Sequence, residues 1–156
     1  VLALDVDPAM VAHLRERLAG LANVEPRLVA PDDPGLAAAS VDRVLVVDTW
    51  HHLTRRVAYA ERLRRALRQG GRLVIVDYPE DAPRGPPPEL RVGGDAVVAE
   101  LTAAGFVARV EPRSLPASSL RAHRARSPGT ARPWAAGPSS PRGTTAARRR
   151  PPPVRR

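Results

Sequence analysis

The chain has 156 residues, with 25 Arg and no Lys against 16 acidic residues, a formal net charge of +9, and no Cys. Without Cys it holds no disulfide and no thiolate metal site, and no apolar run approaches the ~20 residues that cross a bilayer, so no membrane association is expected. The charge is unevenly placed: residues 1–111 carry 14 Arg and all 16 acidic residues, whereas residues 112–156 carry 11 Arg and no acid.

Val1–Leu4 is a short apolar strand closed by Asp5. Asp7 reads as a helix N-cap with Pro8 at the first helical position. Met10, Val11, Leu14 and Leu18 follow at helical spacing, up to a stop at Gly20. Val24–Val29 is a second strand, weakened by Pro26, and PDDPG (Pro31–Gly35) is a turn. RVLVVD (Arg43–Asp48) is a near-continuous apolar run, the pattern of a strand covered on both faces. Thr54 is placed to cap a helix with Tyr59, Leu63 and Leu67 in one stripe. That helix stops at Gly70 and Gly71, ahead of another buried strand, RLVIVD (Arg72–Asp77). A Pro-rich loop, Pro79–Pro88, leads to a helix with Val97, Val98, Leu101 and Ala104 on one face. Gly105 ends it, and Phe106–Val110 is a strand. Strands alternating with helices predict an α/β fold with a mainly parallel sheet and flanking helices over residues 1–111. Residues 112–156 are rich in Arg, Pro, Ser and Gly; they bury too little apolar surface to offset ordering entropy and are expected to form a disordered tail.

Three strands end in an acid: Asp5, Asp48 and Asp77. In a parallel sheet all three lie along the carboxyl edge, where open α/β folds bind ligands. An acid at such a strand end accepts hydrogen bonds from ribose hydroxyls, or merely caps the next helix. Because Asp7 already supplies the cap, Asp5 is left for the ligand. His51 and His52 follow a buried strand, so one points toward the cleft and the other into the protein. Such a pair suits a general base deprotonating an acceptor; equally, it shapes the pocket and caps the next helix. No metal is expected there, since His13 and His123 are the remaining imidazoles. Trp50 reads as packing.

The segments LALDVDPAM, NVEPRLVAPDDPGL, SVDRVLVVDTWHHL, LRRALRQGGRLVIVDYPED and VVAELTAAGF occur in that order. Together they resemble the class I S-adenosylmethionine-dependent methyltransferases, in particular the small-molecule type with a D-x-x-H-H segment after the fourth strand. The resemblance covers residues 1–111. It implies a Rossmann-like fold, S-adenosylmethionine as cofactor, and methyl transfer to a small-molecule acceptor. It places Asp5 and the adjacent Val6 at the cofactor ribose, and Asp32 or Asp33 at the adenine amine. Asp48 and Thr49 fall beside the sulfonium and the acceptor, with His51 and His52 as candidate catalytic residues. Gly70 and Gly71 match the turn before the fifth strand, with Gln69 in place of the more usual Pro.

The resembled family carries a first strand and a Gly-x-Gly turn ahead of the equivalent of Val1. No such motif occurs here, so the sequence is expected to be a fragment lacking that strand. In the family's sheet order, 3-2-1-4-5-7-6, the loss leaves a gap on the order of 9.6 Å between the strands ending at Asp5 and Asp48. The last strand is also expected to be missing, because the Arg-rich stretch reads as translation in a wrong frame. A cytoplasmic location is expected. Two other readings stand beside methyl transfer. The Arg-rich tail would bind nucleic acid, without sequence specificity; alternatively Asp5 would hold the ribose of a nicotinamide cofactor, against which the DTWHHL loop argues.

Overall fold

The computed structural model describes residues 1–111 and the backbone of residues 121–126. Strand β1 (Leu2–Asp5) lies parallel to β2 (Glu25–Leu28), and the two form a sheet of their own. Helix α1 (Pro8–Arg17) connects them. As its sequence predicts, Pro8 opens the helix and the Asp7 side chain accepts from Ala9 N at 2.8 Å. Val11 is the fully buried residue of this helix.

The second sheet has the order β3-β4-β6-β5. Strands β3 (Val41–Val47) and β4 (Leu67–Asp77) run parallel, from Arg43 opposite Arg72 to Val47 opposite Val76. Helix α2 (Arg56–Ala66) joins them, and α3 (Gly94–Ala103) precedes β5 (Val107–Val110). Strand β6 (Arg121–Arg126) runs antiparallel to both β4 and β5. The core is one cluster: Leu73 and Ile75 of β4 meet Ala60 and Leu63 of α2, Val97 and Leu101 of α3, then Trp50 and Phe106. The mixed α/β class and the succession of elements agree with the sequence.

Several expectations need correction. A strand occupies residues 121–126, inside the stretch expected to lack one. Composition misled there because a ladder is made by backbone groups, and RAHRAR contains no proline to interrupt it. The remainder of the expected tail, residues 112–120 and 127–156, lies outside the described residues. Strand β3 is not covered on both faces: Leu45 is 67% exposed and Val47 46%. It pairs with β4 on one side alone among the described residues, and its alternate residues Val44 and Val46 turn toward the core. Likewise β1 pairs with β2 alone among the described residues, and the strands ending at Asp5 and Asp48 lie in separate sheets. Thr54 does not cap α2; the N-cap is Arg55, with no side-chain cap bond. The helix ends at Ala66 rather than at the glycine pair, and the chain passes into β4 through Gly70 at φ +76° and Gly71. A Cβ on Gly71 would lie 2.8 Å from the Arg68 carbonyl, which explains the second glycine.

Candidate functional site

Asp5 closes β1 and is half-buried. Its Oδ1 accepts from Asp7 N at 2.9 Å, and Oδ2 makes no hydrogen bond among the described residues. One oxygen thus holds the strand-to-helix turn while the other remains able to accept. Val6, next to it, is 52% exposed. The two acids of the PDDPG turn differ in their commitments. Asp33 is fully engaged: Oδ1 accepts from Gly35 N at 2.9 Å and Oδ2 from Arg62 at 2.5 Å. Asp32 pairs through Oδ2 with Arg55 and keeps Oδ1. Asp33 also acts on Tyr59, whose hydroxyl is pushed above its usual 10.0, first by burial and then by that carboxylate's charge.

At the end of β3 the chain turns through Asp48, at φ +49°, a left-handed conformation that Asp tolerates better than most residues. Thr49 Oγ1 donates to the Val47 carbonyl at 2.7 Å. A single 3₁₀ turn, Trp50–His52, follows. It is held from two directions. His51 is buried and donates twice to Asp77: Nδ1 lies 2.8 Å from Oδ1, and the backbone N 3.2 Å from Oδ2. A carboxylate can only accept, so Nδ1 carries the proton. Tyr78 N donates to the same Asp77 Oδ1 at 2.8 Å. Trp50, fully buried, donates from Nε1 to Glu100 Oε2 at 3.0 Å. What the turn leaves exposed is Asp48, Thr49 and His52, the ring of His52 lying 4.1 Å from that of His51.

The His pair divides as expected, with His51 inward and His52 outward, but on a 3₁₀ turn held by Asp77 rather than by strand alternation. Donor atoms of Asp48, His51 and Asp77 lie within 4.8 Å of one another. The oxygens of Asp77 are already taken by three N–H groups, which accounts for the grouping without a cation. Sequence reasoning marked Asp77 as a strand end but gave it no role, and it missed Glu100 altogether. The signal for Asp77 was its place after RLVIVD; for Glu100, 50 residues from its partner on an amphipathic helix, there was none.

Residues 1–75 match the family model described as a methyltransferase domain. Among solved structures, the chain is similar to a SAM-dependent methyltransferase from Aquifex aeolicus at 28% identity, with a TM-score of 0.72, covering 81% of this chain and 68% of that one. The match and this likeness are consistent with the class I S-adenosylmethionine-dependent methyltransferase family. The chain's likeness to a putative type 11 methyltransferase from Sulfolobus solfataricus is one of fold: 19% identity, TM-score 0.66, covering 85% of this chain and 74% of that one. The same holds for the trans-methyltransferase CalH, solved with S-adenosylhomocysteine, at 18% identity and TM-score 0.63, covering 81% of this chain and 42% of that one. No curated protein matches the chain. The SAM-dependent activity of the first of these neighbours and the S-adenosylhomocysteine of the last support S-adenosylmethionine as cofactor, and Asp5 Oδ2 is left able to accept a hydrogen bond. No helix among the described residues is long and apolar enough to cross a membrane.

Proposed function

We propose that this domain transfers the methyl group of S-adenosylmethionine to a small-molecule nucleophile. The observation that carries the proposal is Asp5, a half-buried carboxylate closing a parallel strand with one oxygen uncommitted, inside the residues that match the methyltransferase family. Asp5 accepts from the ribose hydroxyls, and Val6 offers its exposed apolar side chain beside them. Asp32 accepts from the adenine amine through Oδ1, which makes no hydrogen bond among the described residues, whereas both oxygens of Asp33 already accept one. Asp48 and Thr49 face the reacting end of the cofactor. His52, the exposed member of the pair, meets the acceptor, while His51 fixes the turn that presents it.

When bound, the cofactor supplies an electrophilic methyl group on a sulfonium sulfur. The protein's contribution is then mainly orientation, which favours a rigid loop over a mobile one. The Pro-rich segment after β4 supplies a second fixed wall. Arg91 closes it by donating to the carbonyls of Pro86, Glu80 and Ala82 at 2.8, 3.0 and 2.7 Å. Calorimetry with S-adenosylhomocysteine and with NAD on the full chain tests the reading. Binding of S-adenosylhomocysteine alone is expected; binding of NAD alone would overturn it.

A further inference from the structure

Glu100 sits on α3, away from the acids that close the strands, and nothing in a methyl-transfer reading calls for it. Its two oxygens nevertheless gather both ends of the exposed loop. Oε2 accepts from Trp50 Nε1 at 3.0 Å, at the start of the 3₁₀ turn. Oε1 accepts from Arg56 Nε at 2.7 Å, in the first turn of α2. Arg56 in turn donates from NH1 to the Leu53 carbonyl at 3.1 Å, just after the turn ends. The Glu100 and Arg56 side chains are 18% and 29% exposed, so solvent screens this network less than a surface pair.

We propose that Glu100 is a positioning residue for the cofactor-facing loop. Through Trp50 and Arg56 it fixes the span Trp50–Arg56, and with it the placement of Asp48 and Thr49 immediately before. This rests on the reading of Asp48 and Thr49 as cofactor-facing. Asp77 holds the inner side of the same turn through His51, so removing Glu100 releases one of two anchors and leaves the buried Trp50 Nε1 without its acceptor.

The test uses the full chain in a Trp134→Phe background, which leaves Trp50 as the one indole. Two quantities are read: the indole N–H resonance of Trp50 and the affinity for S-adenosylhomocysteine. Glu100→Ala is expected to move the resonance and to weaken binding about tenfold, the size of coupling carried by hydrogen-bonded, packed side chains. Glu100→Gln keeps a carbonyl acceptor for the indole but sets its amide N–H2 against Arg56, so it is expected to retain the resonance with a loss of affinity smaller than that of Glu100→Ala. In a Trp50→Phe background, Glu100→Ala is expected to cost less than in the parent, because one of its two contacts is already gone while that to Arg56 remains. A moved resonance with unchanged affinity would overturn the proposal, as would additive losses in the double variant. Should Glu100→Ala not fold, Glu100→Asp, one methylene too short to reach both partners, carries the same comparison. Absence of S-adenosylhomocysteine binding by the parent chain would instead strike the functional reading itself.

Discussion

Asp77 accepts three N–H groups while 7% exposed, two of them from His51, so it is the anchor against which the reacting turn is built. Asp77→Asn turns one acceptor oxygen into a donor facing donors. It is expected to cost about 1–3 kcal/mol in urea denaturation, the penalty for a buried polar group left unmatched. A second residue makes a prediction about pH. Burial and the neighbouring Asp33 hold the Tyr59 proton beyond its usual 10.0. Above that value the unfolded chain releases the proton first, so it binds fewer protons than the folded one and stability falls as pH rises. Below it the contribution is fully present. The denaturation midpoint of the parent chain is therefore expected to fall more steeply above pH 10 than that of Tyr59→Phe. Parallel curves would show that Tyr59 makes no such contribution.

At the level of elements, α3 shows how far local sequence decides structure. It ends in a complete Schellman arrangement: Phe106 N donates to the Leu101 carbonyl at 3.0 Å and Gly105 N to that of Thr102 at 2.9 Å, with Gly105 at φ +84°. Gly105→Ala is expected to lower stability by about 1–2 kcal/mol in thermal or urea melts, the cost of a Cβ in the left-handed region. Leu101→Ala, at a fully buried site in the core cluster, is expected to cost about 2–5 kcal/mol. Both features were legible because glycine and helical periodicity act over a few residues. The Asp7 cap, β1 and the burial of β4 were legible for the same reason. The exposure of β3 was not, since RVLVVD reads as buried and only the pairing partners decide which edge is open. The strand at residues 121–126 was hidden in the opposite way: its residues carry no apolar signal, and its place is set by backbone pairing with β4 and β5. Asp5, Asp48 and the His pair stood out because each follows an apolar run. The anchors Glu100 and Asp77 act through contacts 50 and 26 residues away, which no local pattern records.

Over the whole molecule, the β1–α1–β2 unit and the larger sheet are joined through the segment that links them. Pro34 is fully buried there, Leu36 packs on the core, and Asp32 and Asp33 are tied to Arg55 and Arg62 of α2. The four side chains of those ion pairs are 38–66% exposed, so the pairs are screened by salt and weak individually. Hydrogen exchange is expected to show β1 and β2 opening at lower free energy than β4 and α3, with the difference widening as salt is added. Uniform protection across both sheets would contradict that division. The central claim, that Asp5 grips the cofactor ribose, is tested most directly by titrating S-adenosylhomocysteine into the parent chain and Asp5→Asn. The substitution keeps the shape and removes the charge. The account predicts about tenfold or more weaker binding in the variant with the fold unchanged, the loss appropriate to hydrogen bonds on a charged acceptor. Equal affinity in the two proteins would contradict it.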